Sequence, residues 1–132
     1  ADLVVVPTQG SQLDAAEAAK AIRLIRQQER AFGRNIPHAV LFTRTSAAIR
    51  PRTLQHIRDE MARNAVPVLE CQLHEREAFR AIFSFGGTLA GLTSEQVSGR
   101  DAAIANARAL GAEIVARLKG APKPAPRLER VA

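Results

Sequence analysis

The chain has 132 residues, 46% of them hydrophobic but only 4% aromatic, and a formal net charge of +6. This length fits one domain, or part of one, with a mainly aliphatic core. No apolar run approaches the roughly 18 residues that a transmembrane helix needs. The single cysteine, Cys71, excludes an internal disulfide and is interpreted as a small core residue. We therefore expect a cytoplasmic protein with no membrane partner.

Arginine dominates the positive charge, because 16 of the 19 basic residues are arginine. A guanidinium group binds phosphate oxygens in a bidentate way, so this excess favours a polyanionic partner. The same excess is also typical of ordinary solvated surfaces, and composition alone does not separate the two interpretations.

The opening segment predicts a buried strand followed by a helix. Its apolar run ends at a turn, which places the strand over residues 2–8. Ser11 is a favourable N-cap and Gly33 a favourable residue after the helix, so the helix is expected to end near Phe32. Ligands of open α/β sheets bind at the carboxyl ends of such strands.

Two further strand–helix units follow. Strands are predicted over 39–43 and 66–71, and helices over 52–64 and 78–85, with Pro51 placed just before the first of these helices.

A last helix is predicted over residues 100–118, with Thr93, Ser94 or Ser98 as its cap. The remaining segment, 119–132, contains three prolines and is predicted to be a flexible tail.

This alternation predicts an α/β fold with a mostly parallel sheet and helices on both faces, that is, three layers. Three strands make a thin sheet for so many helices, and one edge strand would stay open. We therefore expect about half of the sheet to come from a preceding segment or from a partner.

Three pieces of the sequence carry a family resemblance, and they occur in the family's order. They are ADLVVVPTQGSQLDAAEAAKAI, AVLFTRTSAAIRPRT and VPVLECQLHEREAFRAIFSFGGTLAGL. Together they resemble the C-terminal part of ParA/MinD-type ATPases of the deviant P-loop class, over residues 1–118. The resemblance implies a P-loop NTPase-like fold, a homodimer locked by ATP and Mg²⁺, and a role in plasmid or chromosome partitioning.

The family's phosphate-binding loop, GKGGxGK[ST], does not occur in this sequence. Its longest glycine run, Gly86-Gly87, has no lysine behind it and cannot cradle a phosphate. We therefore assign no catalytic and no metal-binding residue to this chain. The resemblance implies that ATP and Mg²⁺ are bound only together with a missing N-terminal half, and that the full-length protein is the ATPase.

The resemblance also implies where the nucleotide base lies, over the carboxyl ends of the later strands. Thr43 and Arg44 follow the second strand, although many relatives have Asn in place of Thr43. Gln72, Leu73 and His74 follow the third. The alternative interpretation is that these are ordinary loop residues, with Arg44 paired to Glu70 or Glu75.

Nonspecific DNA binding in partition ATPases comes from arginines in the C-terminal half, and Arg76, Arg80 and Arg100 lie in the corresponding segments. A solvated basic face with a Glu77–Arg80 pair is the alternative. A second basic stripe, formed by Arg23, Arg26 and Arg30, is diluted by Glu29 and is interpreted as a solvated face.

Three functions compete at this stage. The first is the C-terminal part of a ParA-type ATPase, associated with the nucleoid and stimulated by a centromere-binding partner protein. The second is a non-catalytic α/β module without a P-loop that binds DNA or protein. The third, a MinD-like membrane-positioning ATPase, ranks last because the proline-rich tail does not suit an amphipathic helix.

Overall fold

The computed structural model describes residues 2–46, 52–93 and 96–120. Its elements are β1 Val4–Thr8, α1 Gln12–Phe32, β2 His38–Thr45, α2 Arg52–Arg63, β3 Leu73–His74, α3 Glu77–Phe85 and α4 Arg100–Leu118, with a 3₁₀ turn, Leu89–Gly91, before α4. The predicted order of strands and helices is confirmed. Pro51, Ser94 and most of the predicted tail, 121–132, lie outside the described residues.

The three strands form one small parallel sheet in the order β1-β2-β3. The predicted α/β class with parallel pairing is therefore confirmed. In the central strand, Val40 and Phe42 face a cluster with α1 and α2, whereas Ala39 and Leu41 face Ile114 and its neighbours on α4. The first cluster contains Val6, Ala18, Ile22, Val40, Phe42, Leu54, Ile57 and Met61.

Both ends of α1 are capped as the sequence predicts. The Ser11 hydroxyl accepts the backbone N–H of Asp14 at 3.1 Å. Gly33 adopts the left-handed conformation, φ 59°, and its N–H donates to the carbonyl of Glu29. A residue with a side chain would be strained at this position, so the glycine sets where the helix ends.

The prediction of a third strand over 66–71 is wrong. From that segment only Val68 bridges to β2, at Val40, and the two-residue β3 pairs with β2 further along the chain. The backbone N–H groups of Glu70 and Cys71 donate instead to a carboxylate on α4. The segment therefore bows away from β2 before it rejoins the sheet.

The start of α4 is as predicted, but its cap is not. Gly99, in the left-handed conformation at φ 74°, precedes the helix, and no side chain caps it. Ser98 therefore does not act as the predicted cap.

Replacing Phe42 with alanine should destabilise the fold strongly. Its side chain is fully buried in the central strand, and the Arg58 guanidinium lies 5.6 Å from the centre of its ring. Loss of a buried phenylalanine typically costs about 3–5 kcal/mol. The matched control is Phe83→Ala on α3, where the ring is 92% exposed and the expected change is about 0.5 kcal/mol or less. Urea unfolding measures both variants, and equal losses would contradict this packing.

Candidate functional site

The carboxyl ends of the strands bring most of the predicted nucleotide residues to one edge of the sheet. Thr43 and Leu73 are partners in the parallel register of β2 and β3. The Thr43 hydroxyl donates to the carbonyl of Thr8 at 3.4 Å, and the Thr45 hydroxyl lies 3.0 Å from Nδ1 of His74. We call this the carboxyl edge. It connects β1, β2 and β3 through side chains as well as through the backbone.

Arg44 occupies an unusual position at this edge. Its φ is +55°, and the register between β2 and β3 shifts between Thr43 and Thr45. A non-glycine residue in this region of φ is strained, typically by about 1–3 kcal/mol. Its exposed guanidinium donates to the Glu75 carboxylate at 3.2 Å. Of the two pairings that the sequence left open for Arg44, the structure contains the one with Glu75.

An open hollow adjoins the carboxyl edge beside β1. Pro7, Thr8 and Gln9 line it from the strand end, Asp14 from the first turn of α1, and Thr43 from β2. The turn after the first strand, which the sequence singled out as a ligand edge, therefore borders the predicted nucleotide residues.

Asn106 of α4 holds the predicted adenine-contacting segment, and the sequence analysis missed this residue. Its side-chain amide donates to the carbonyl of Gln72 at 2.7 Å and accepts the backbone N–H of His74 at 2.9 Å. Both backbone groups belong to the segment that the resemblance predicts to lie beside the nucleotide base. In this structure they are already paired, so a base at this position would meet side chains.

Glu113 of α4 holds the preceding residues in the same way. One carboxylate oxygen accepts the N–H of Glu70 at 2.8 Å and the other accepts that of Cys71 at 2.9 Å. Burial alone would raise the pKa of Glu113. This effect of burial is outweighed by the hydrogen bonds from the backbone of Cys71 and Glu70, by the Cys71 side chain and by the positive charge of Arg117. The pKa of Glu113 therefore lies below its ordinary 4.5. Cys71 is half-buried beside this carboxylate rather than fully in the core.

The sequence contains a signal that could have found these two residues. Asn106 and Glu113 are seven residues apart, two turns of α4, and so lie on one face of the helix. On that face Leu110 and Ile114 pack against the sheet. Polar side chains within an apolar stripe indicate that a backbone group needs a partner.

Two of the three predicted DNA-binding arginines, Arg80 and Arg100, contact neighbouring groups, whereas the Nε of Arg76 is buried and has no hydrogen-bond partner among the described residues. Arg80 lies 3.0 Å from the Glu75 carboxylate and 2.9 Å from that of Glu77, which is the intrahelical pair that the sequence offered as an alternative. Arg76 precedes α3 in an extended conformation, so it does not share a helix face with Arg80. Arg100 donates to the carbonyl of Leu92 at 2.8 Å.

Comparison with known proteins adds the evolutionary relationship. A family model described as VirC1 protein matches residues 1–118. The chain belongs to the VirC1 family. It is also 41% identical over 118 residues to Protein ParA of Rhizobium radiobacter, an alignment that covers 89% of this chain and 53% of that protein. The predicted resemblance to a region of ParA/MinD-type partition proteins is confirmed, and the chain spans about half the length of this relative.

Two further observations on this VirC1-family chain concern metal ions and membranes. Across residues 2–46, 52–93 and 96–120, no three His, Cys, Asp or Glu side chains are grouped so that they could hold a metal ion. Within the same ranges, no helix has the length and hydrophobicity that crossing a bilayer requires.

Glu113→Gln in the VirC1-family chain should lower stability by about 1–3 kcal/mol at neutral pH, because its charged oxygens accept two backbone N–H groups. Because the pKa of Glu113 is lower in the folded chain than its ordinary 4.5 in the unfolded chain, the charged carboxylate stabilises the fold at pH values above 4.5. This stabilisation is lost as the pH falls through the pKa of the folded state. Wild type should therefore lose stability on acidification more steeply than the variant.

Urea unfolding at pH 7 and below pH 4.5 measures this difference. The control is Glu60→Gln, the same chemical change at an exposed position of α2. It should leave the free energy of unfolding unchanged at both pH values. Parallel pH profiles for wild type and Glu113→Gln would show that the carboxylate does not hold the segment.

Proposed function

We propose that this chain is the C-terminal part of a ParA-type ATPase that acts in plasmid or chromosome partitioning. The proposed full-length protein has a three-layer, P-loop NTPase-like fold, dimerises when it binds ATP, and binds DNA nonspecifically. The observation that carries the proposal is the grouping of Thr43, Arg44 and residues 72–74 at the carboxyl edge. Sheets of this class hold their ligands at that edge. Membership of the VirC1 family and the similarity to Protein ParA support it.

The residues of the carboxyl edge fit the base side of a nucleotide and not its phosphates. Thr43 contributes a hydroxyl, and Gln72 and His74 contribute polar side chains that are half-buried at the edge. A phosphate cradle needs a glycine-rich loop with a lysine, which the 132 residues do not contain. In our proposal the other half of the protein holds the triphosphate and Mg²⁺, and hydrolysis of the bound ATP releases the dimer from DNA.

DNA contact in this proposal comes from Arg76, Arg80 and Arg100. Arg80 keeps 56% of its side chain exposed while it pairs with two carboxylates, so its guanidinium is still accessible to a phosphate. Contacts of this kind give binding that is salt-dependent and independent of sequence. A centromere-binding protein is the proposed partner that stimulates hydrolysis, and nucleoid association follows from the DNA binding.

The full-length protein should form a dimer when a non-hydrolysable ATP analogue and Mg²⁺ are added. We expect the mass measured by analytical ultracentrifugation to double with the analogue and to stay monomeric with ADP. The intact mass of the purified protein is the accompanying measurement, since the proposal needs a P-loop half before Ala1. If translation starts at Ala1 and the ATP analogue produces no dimer, the ATPase proposal is wrong. The alternative, a non-catalytic binding module, would then take its place.

Charge reversal at Arg76 and Arg80 in the full-length protein should weaken binding to unrelated DNA duplexes by the same factor. About tenfold or more is expected at low salt, because two phosphate contacts are lost. The charge-matched control is Arg108→Glu with Lys119→Glu, two exposed positions of α4 and the turn after it. Fluorescence anisotropy measures the affinities, and equal affinities for the two double variants would rule out these contacts.

A further inference from the structure

A second cationic surface lies on the C-terminal half of α1. It consists of Arg23, Arg26, Arg30 and Arg34, and we call it the α1 arginine surface. Because α1 runs from the carboxyl end of β1 to the amino end of β2, this surface lies at the opposite end of the sheet from the carboxyl edge. It is therefore separate from Arg76, Arg80 and Arg100.

The acidic residue within this surface, Glu29, offsets one of its four positive charges but forms no ion pair with any residue that the structure describes. The Glu29 carboxylate accepts the backbone N–H of Ile36 at 2.9 Å, and the Glu29 carbonyl accepts the N–H groups of Gly33 and Arg34. The carboxylate is half-buried and holds the turn between α1 and β2. The surface is mixed in charge, as the sequence predicted, with four arginines and one glutamate whose carboxylate also holds the backbone.

The arginines differ in what they contact. Arg26 is half-buried and donates to the carbonyls of Ala65 and Asn64, at 3.2 and 3.4 Å, which fixes it at the end of α2. Arg23, Arg30 and Arg34 are exposed, and none of them forms an ion pair with any residue that the structure describes.

The shape of the surface suits an extended anion. An open hollow at the end of α1 is lined by three arginines and one acid, together with two small or polar residues: Arg26, Arg30, Arg34, Glu29, Gly33 and Asn35. From Arg23 to Arg30 is two helical turns, about 10 Å along the axis. One strand of duplex DNA carries a phosphate about every 3.4 Å of axis, so about three phosphates fall within this length.

We infer that the α1 arginine surface binds the sugar–phosphate backbone of a nucleic acid. The inference rests on the proposed function because it takes the same partner, DNA. It adds a contact surface that lies outside Arg76, Arg80 and Arg100. Arginine favours such contacts because its planar fork matches phosphate oxygens.

The apolar residues on α1 argue against an anionic membrane as the partner. The continuous apolar face of α1, with Ala18 and Ile22, is already buried against the sheet and α2, and of the exposed apolar residues, Leu24 and Phe32 lie eight positions apart. A helix that lies in a membrane interface buries an apolar face while lysine and arginine line its polar face towards the headgroups. Here the apolar face is not free to enter a membrane, and the arginines border a polar hollow that Glu29 and Asn35 also line.

The test uses the full-length protein with Arg30→Glu and Arg34→Glu together. Both side chains are exposed, and Arg26, which supports the end of α2, is left intact. We expect affinity for an unrelated duplex to fall about tenfold or more, and the slope of log affinity against log salt to fall by about 2, since each phosphate contact contributes about 0.9. Arg30→Lys with Arg34→Lys should keep most of the affinity, and the charge-matched Arg108→Glu, Lys119→Glu variant should keep the wild-type slope.

The outcomes separate this inference from the proposed function. An unchanged slope in the Arg30, Arg34 variant, with binding lost in the Arg76, Arg80 variant, overturns the inference and leaves the function standing. Wild-type protein that does not bind the duplex at all overturns both. Binding to phosphatidylglycerol vesicles that is lost in the Arg30, Arg34 variant, while duplex binding is kept, assigns the surface to a membrane and also overturns the inference.

Discussion

The arrangement at the outer edge of the sheet depends on two polar side chains of α4. Asn106 and Glu113 pair with four backbone groups between Glu70 and His74, groups that β2 on the other side cannot reach. An unpaired backbone amide away from water is costly, and an open edge strand is a template for aggregation. The helix therefore both covers one face of the sheet and completes the hydrogen bonding of its last strand, so the position of β3 is set by side chains as much as by strand pairing.

This support makes the geometry of the carboxyl edge possible. With the segment before β3 drawn towards α4, the register between β2 and β3 shifts, and Arg44 takes a left-handed conformation at the shift. Its guanidinium reaches Glu75, which also contacts Arg80 of α3. A chain of charges thus connects the end of β2 to α3. Backbone strain at such a point commonly accompanies a binding function, and here it lies beside the predicted base-contacting residues.

The features that could be predicted from the sequence are those that depend on short stretches of it. Ser11 and Gly33 define α1 because capping is a local property, and the continuous apolar runs predicted the parallel sheet. The third strand was misplaced because an apolar run predicts burial but not pairing, and the pairing partner here is a carboxylate more than 40 residues away. The structural role of Glu29 could not be predicted for the same reason, since the sequence does not show that its carboxylate accepts the backbone N–H of Ile36.

The distance along the chain between β3 and its support has a consequence for folding. Glu70 and Glu113 are separated by 43 residues, and the bonds between them cannot form until α4 has been synthesised and has docked. Contacts between residues so far apart in sequence form slowly, because a long loop must close first. A nascent chain that ends before α4 carries an unfinished sheet edge with exposed amides, and such an edge is prone to aggregation and to binding by chaperones.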